Sequence, residues 1–367
     1  LHGDRAAFLA TVDPQRPAFA RREAAVFDAL RQVPFASWHY ELDPERERAT
    51  TPALDARYGT WWSPDVTLRY AIAGFDRTAT QQQQGLTFVS RAGRWYLAAD
   101  DDFADHPTAH DLWDGGPVLV RRGRSCLVLS HPKGRRLAGL VERECEAAVP
   151  RVTAVWGRAW SQRVVLLVPD STKELADVVP DAGDLSNIAA VATAELLEPG
   201  TGYHPVGDRV VVNPATFTQL GPLGRRVVLT HEVTHVASRA ATGDQLPTWM
   251  VEGIADYVGY LDVDVPLAVA AEELRRQVRR GRLPQELPID SDFDGGRSDL
   301  AQTYEESWLA VSLLAHRYGR PRLLALYRHI GADPSSGAVE RAFEADLGTS
   351  VDAFTAAWLA DLRRRLA

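Results

Sequence analysis

Leu229-Thr230-His231-Glu232-Val233-Thr234-His235-Val236 is the stretch on which the reading of this chain turns. It lies inside a predicted helix, Val227 to Ala241. Histidines at i and i+4 stand one above the other on one helix face, so His231 and His235 can both reach a single metal ion while Glu232 projects beside them. The spacing follows from 3.6 residues per turn. Two histidines that merely share a partly buried helix would give the same pattern, so the surrounding sequence has to decide.

Gly243 and Pro247 end that helix, and a second is predicted to start at Thr248, carrying Trp249-Met250-Val251-Glu252-Gly253-Ile254-Ala255-Asp256. Glu252 stands seventeen positions after His235, near enough for an antiparallel helix to bring its carboxylate to the metal and complete a His-His-Glu set for Zn2+. Asp256 is one turn further on. A carboxylate there can accept the second ring N–H of a zinc histidine and fix its tautomer; a solvated surface acid is the other reading.

These two segments resemble the gluzincins, the zinc metallopeptidases that include thermolysin and the aminopeptidase-N-like enzymes. The match covers His231 to His235 and Glu252 to Asp256. It implies that His231, His235 and Glu252 bind zinc and that Glu232 is the general base of peptide-bond hydrolysis. Thr303-Tyr304-Glu305-Glu306-Ser307-Trp308 looks like the helix start on which the aminopeptidase-N-like enzymes carry a tyrosine. By that resemblance Tyr304 would donate a hydrogen bond to the developing oxyanion, although a tyrosine packed at a helix end fits the same sequence. Two departures matter. No Gly-x-Met-Glu-Asn segment, which recognises a free amino terminus in that group, stands upstream of the zinc helix, and the interval from His235 to Glu252 is shorter than is usual there. The expectation is therefore a zinc endopeptidase of a separate branch, acting on a peptide or protein. A catalytically silent zinc-bearing scaffold and an aminopeptidase are the alternatives. Retention of glutamate between the histidines speaks against the scaffold, which needs only the ligands.

Within the same resemblance, Arg209-Val210-Val211-Val212-Asn213 is a candidate for the edge strand that pairs with extended substrate, or else a core strand. His204, His316 and His329 have no partner spacing and receive no role. His106 and His110 stand four apart, but Pro107 argues against a continuous helix and hence against a metal pair.

The fold class expected is α+β. Apolar positions from Phe8 to Leu30 recur at helical spacing. Period-two segments follow at Trp38 to Leu42, Val66 to Ala71, Leu86 to Ser90 and Trp95 to Ala98, the last two a hairpin around Gly93. This pattern resembles the cone-shaped fold of the nuclear transport factor type, and an acidic stretch from Asp100 to Asp114 reads as a linker. Residues 1–114 are thus expected to form an N-terminal α+β domain. Residues 115–367 are expected to form the gluzincin-like domain, with a small mixed sheet and a mostly helical C-terminal half. Gln81 to Gln84 reads as a loop.

The chain has 367 residues, with 41 basic against 49 acidic side chains and a net charge of −8. A broad positive footprint for nucleic acid is therefore missing. No apolar run approaches the ~18–20 residues that cross a bilayer. The sequence opens at Leu1 and its one methionine is Met250, which reads as a processed or truncated product. Together with the resemblance this predicts a secreted or membrane-tethered bacterial protein, with cytoplasmic residence as the alternative and the oligomeric state left open. Cys126 and Cys145 could pair in an oxidising compartment or remain two buried thiols.

Overall fold

The structure, a computed structural model, describes residues 3–179, 185–186, 188–196 and 205–367. His204 lies outside them. The chain mixes helices and small sheets, with about half of it helical. It forms two compact units: Leu1–Glu142 with Arg163–Ala182 and Thr193–Ala215, and Arg143–Gln162 with Gly183–Ala192 and Thr216–Ala367. These units do not divide at residues 114 and 115.

The first unit opens with α1 (Arg5–Leu9) and α2 (Pro17–Leu30). Asp4 caps α1 by accepting the Ala7 N–H, and Pro17 occupies the first turn of α2, where a missing N–H costs nothing. There follow β1 (Phe35–Glu47), α3 (Pro52–Tyr58), β2 (Trp61–Trp62), β3 (Pro64–Ile72), β4 (Thr80–Gln84), β5 (Thr87–Arg91) and β6 (Arg94–Ala99). The strands form two three-stranded sheets, ordered β1-β3-β4 and β2-β5-β6. Arg91 faces Arg94 across the β5–β6 hairpin, so Ala92 and Gly93 make a two-residue turn, both at positive φ (50° and 77°). That left-handed pair matches the twist of the flanking strands and explains the glycine.

The glutamine tract is a strand, not the expected loop: Gln81 to Gln84 pair with β3 from Arg69 back to Val66. Hydropathy could not show this, because the inward members satisfy their amides by hydrogen bonds. Gln82 donates to Asp111 and Gln84 to the Ala109 carbonyl, whereas Gln83 reaches Thr67 on the other face.

Beyond residue 114 come β7 (Leu119–Arg122), β8 (Cys126–Ser130), α4 (Arg135–Trp156), β9 (Val164–Val168), α5 (Thr172–Val178), β10 (Ala190–Leu196) and β11 (Pro205–Val212). They include a five-stranded sheet ordered β10-β11-β9-β8-β7. β7 runs antiparallel to β8, while β8–β9 and β9–β11 are parallel, so the sheet is mixed. Strands β8 and β9 are buried along their whole length, which is why they read as unbroken apolar runs. The segment Arg209 to Val212 lies within β11, between β10 and β9, and is therefore an interior strand; the edges belong to β7 and β10. Arg209 is buried there and pairs with both oxygens of Asp76 at 2.8 Å. Cys126 and Cys145 are fully buried and disulfide-bonded.

The remainder is helical: α6 (Pro214–Phe217), α7 (Pro222–Ser238), α8 (Thr248–Tyr260), α9 (Leu267–Ala270), α10 (Glu272–Arg279), α11 (Leu300–Tyr318), α12 (Arg320–Ala332), α13 (Ala338–Ala342) and α14 (Val351–Leu366). Among the described residues no helix is long and apolar enough to cross a membrane. Helix α8 is the hub of the second unit. A Cβ added at Gly253 would stand 2.5 Å from the Ser307 carbonyl of α11, and one at Gly259 would stand 3.2 Å from the Val227 carbonyl of α7. The two glycines thus let α8 lie close against a helix on either side, and these three helices carry the site.

Candidate metal centre

Helix α7 is enclosed on most sides: Val227, Leu229, Val233, Val236 and Ala237 are buried apolar residues. Its buried threonines satisfy their hydroxyls by donating one turn back, Thr230 to the Arg226 carbonyl and Thr234 to the Thr230 carbonyl, both at 2.7 Å. His231 and His235 point out of this packed body on one face, their side chains 12% and 13% exposed. Helix α8 starts at Thr248, whose N–H and hydroxyl both donate to Asp290 at 2.9 and 2.7 Å.

The structure brings the two segments together as the spacing predicts. Nε2 of His231 and Nε2 of His235 are 2.9 Å apart. Oε2 of Glu252 is 3.2 Å from the first and 3.3 Å from the second. Asp256 Oδ1 is 2.7 Å from Nδ1 of His231. Glu252 meets both histidines while Asp256, one turn on, meets the earlier one, so the two helices run antiparallel at the site.

The chemistry of this donor set fits a cation. A carboxylate only accepts, so the proton between His231 and Asp256 belongs on Nδ1 of His231, and Nε2 of the neutral ring carries a bare lone pair. In that neutral form the lone pair would face a second imidazole nitrogen and a carboxylate oxygen at about 3 Å, a repulsive arrangement unless a proton or a metal ion lies among them. Tetrahedral bonds of about 2.0–2.2 Å to nitrogen and oxygen separate neighbouring ligand atoms by about 3.3–3.5 Å, so the observed triangle suits zinc to within a few tenths of an ångström. Among the described residues, His231, His235 and Glu252 are the one His/Cys/Asp/Glu group so arranged. His106 and His110 are not: His106 faces Asp65 at 3.7 Å and His110 faces Asp114 at 3.6 Å.

The electrostatics point the same way. Burial opposes a charged imidazole at His231, yet Asp256, followed by Glu252 and Glu232, outweighs it and lifts the ring well above its ordinary range. Burial likewise opposes the Glu252 carboxylate, but His235 and His231 hold it far below the usual range. The pocket therefore draws positive charge, and a dication would compete with the protons for the same atoms. Asp256→Asn, which keeps the shape and removes the charge, is expected to weaken zinc binding about 10–100-fold, read by competition with a chromophoric chelator. Unchanged affinity would reduce Asp256 to a packing role.

Glu232 is buried, and its carboxyl is raised by that burial against the lowering pull of His231 and His235. The Ala192 backbone N–H donates to it. This contact had no signal in the sequence, since any residue could supply the amide. Tyr304 lies on α11 with its ring 6.3 Å from that of His231 and 5.6 Å from Phe293, which meets it edge-on. Burial, with Glu252, Asp256 and Glu232 nearby, pushes the phenol far up, so it stays a donor. The Tyr304 hydroxyl makes no hydrogen bond among the described residues. His316 lies on α11 outside this group, and His329 pairs with Asp346 at 3.0 Å.

No protein-family model matches this chain, and no curated protein matches it. Among solved structures, an M1 zinc metallopeptidase of Deinococcus radiodurans, a mutant bound to a Tyr-Ser-Ala substrate, is similar at 12% identity and a TM-score of 0.39. The likeness covers 91% of this chain and 97% of that one.

Proposed function

We propose that this chain is a gluzincin-type zinc endopeptidase in which His231, His235 and Glu252 hold the metal. The observation that carries the reading is the convergence of three acceptor atoms within 2.9–3.3 Å, with Asp256 behind His231. A bound zinc ion supplies Lewis acidity, lowering the pKa of water toward neutrality and polarising a carbonyl oxygen.

The chain's own residues do the rest. Glu232 takes the proton of the attacking water and returns it to the departing amine, and a carboxyl raised by burial suits both transfers. Asp256 holds His231 in the tautomer that leaves Nε2 bare. Tyr304 directs its uncommitted O–H at the oxyanion that develops on the scissile carbonyl. The substrate is a peptide or protein chain. Cleavage within it, rather than at its amino terminus, is favoured because no segment matches the amine-binding Gly-x-Met-Glu-Asn pattern. The disulfide between the two cysteines supports an extracytoplasmic location.

The test is a peptide library blocked at both termini, digested by the zinc-loaded protein and read by mass spectrometry. Internal cuts are expected. Cuts confined to unblocked peptides, at their first residue, would convert the reading to an aminopeptidase, and no cuts in either set would remove it. Tyr304→Phe is expected to lower kcat about 10²–10³-fold with little change in KM, the usual loss for one oxyanion donor. An unchanged kcat would return the phenol to packing against Phe293.

A further inference from the structure

The first unit encloses a cavity of about 1210 Å³ that the proposed chemistry does not use. It is larger than the ~300–1,000 Å³ of ordinary small-molecule sites. Its wall is mostly apolar and aromatic. Three of the six large hydrophobic side chains left exposed among the described residues line it: Tyr40, 42% exposed, Leu42, 45%, and Trp95, 48%. Water-facing apolar surface gathered inside one concavity is a feature of ligand sites rather than of ordinary surface.

The polar part of the wall is strongly one-signed. Seven carboxylates line the cavity against one arginine and two lysines. The cations are largely committed: Arg22 pairs with Asp100, and Lys173 pairs with Asp177 at 2.5 Å. Even with His131 counted as charged through its 2.5 Å contact with Glu174, acid exceeds base. Two carboxylates of the wall are left over, the exposed Asp170 and the partly buried Glu23, and Glu23 is the one beside the aromatic side chains. It makes no hydrogen bond and no ion pair among the described residues. It lies close enough to Tyr40 for its charge to act on the phenol, as does Asp114. Tyr40 in turn meets Trp38 edge-on, with ring centres 6.0 Å apart. An unpaired carboxylate beside aromatic faces is the arrangement that recognises organic cations, since both attract positive charge in a poorly hydrated setting.

We propose that this cavity binds an organic cation carried on a bulky apolar body, with Glu23 as its counter-ion and Trp38, Tyr40 and Trp95 as its wall. Two observations agree with an absent counter-charge. Burial, then Asp100 and to a lesser degree Asp114, lifts the Glu23 carboxyl to about 7 against the pull of Arg22. Burial and Asp114 lift Asp111 to about 7 as well, against hydrogen bonds from Gln82 and Tyr70. Carboxylates forced toward neutrality by burial, and secondarily by one another, are what a bound cation would relieve. The cavity shares no residue with the metal centre, and the ligand proposed for it is neither the peptide nor the zinc of the proposed hydrolysis.

Tetraphenylphosphonium and tetraphenylborate test the proposal, because they share size and shape and differ in charge. Titration calorimetry on the full chain is expected to show the phosphonium binding at least about tenfold more tightly than the borate. Glu23→Gln should weaken the phosphonium at least about fivefold and leave the borate unchanged or improved. Trp95→Ala, which truncates a side chain 48% exposed and so spares the core, should weaken the phosphonium too. Equal binding of the two ions would show an apolar cavity without charge selection and overturn the proposal. So would no binding of either ion, or a Glu23→Gln protein of unchanged melting temperature that binds the phosphonium as before.

Discussion

On the proposed function, replacing Glu232 by glutamine is expected to stop peptide hydrolysis while leaving zinc binding intact. The amide matches the carboxylate in shape, and its carbonyl oxygen can still accept the Ala192 N–H. It cannot take a proton from water, so the loss should reach about 10²–10⁴-fold in kcat, the range for removal of a general base. The three atoms proposed to hold the metal, on His231, His235 and Glu252, are untouched. His235→Ala is the necessary contrast: it removes one corner of the triangle, and both metal and activity should go. Elemental analysis of the two dialysed variants, beside a blocked fluorogenic peptide assay, separates the effects. A Glu232→Gln protein with full turnover and full zinc would remove Glu232 from the chemistry and leave a metal site without a base. Loss of zinc from Glu232→Gln would instead mean that the glutamate belongs to the ligand set, against the observed convergence.

The convergence of His231, His235 and Glu252 was legible because helical geometry turns sequence spacing into position. His231 and His235 must share a face, and Gly243 with Pro247 forces a reversal that brings Glu252 and Asp256 back against them. The contacts are the ones the spacing predicted. Features whose partners lie far away in sequence were not legible. The Ala192 amide beside Glu232 carries no side-chain signature. The glutamine strand looked like a loop, because its inward amides meet Asp111 and the Ala109 carbonyl rather than an apolar core. Arg209 to Val212 read equally well as an edge or a core strand, since a run of valines says only that it is buried; the place of β11 between β10 and β9 decides for the core. Even the pairing of Cys126 with Cys145 depends on where α4 carries Cys145, which no count of cysteines can supply. The acidic stretch from Asp100 to Asp114 read as a linker, yet several of its members line the aromatic cavity. One-signed charge in sequence does not distinguish a solvated loop from the wall of a site.

The glycine between Glu252 and Asp256 gives the second large expected effect, and two physical terms oppose each other there. Helix propensity alone says that Gly253→Ala should stabilise α8 by about 1 kcal/mol. Sterics say the reverse. The new Cβ would stand 2.5 Å from the Ser307 carbonyl oxygen, 2.7 Å from Cγ2 of Val311 and 2.9 Å from the Ser307 carbonyl carbon. The nearest neighbour is backbone in the middle of α11, so it cannot turn aside as a flexible side chain would. The helices must part, at a cost of about 1–3 kcal/mol or more for overpacking, and the steric term wins. In a chain of this size that is a fall in Tm of several degrees, about 2–4 °C for each kcal/mol. The displacement also falls on the site, because α8 carries Glu252 and Asp256 on either side of Gly253, and α11 carries Tyr304 one turn before Ser307. Zinc affinity and kcat should therefore fall with Tm, each by about tenfold or more, the size of effect that small misplacements of supporting groups produce. Gly224→Ala in α7 is the control, since its nearest neighbour, Leu220, would lie at an ordinary 3.4 Å. There the propensity term is unopposed, and Tm should hold or rise. If calorimetry found Gly253→Ala as stable as Gly224→Ala, with its zinc affinity intact, the contact between α8 and α11 would have slack, and the spacing between Tyr304 and the metal ligands would not depend on this glycine.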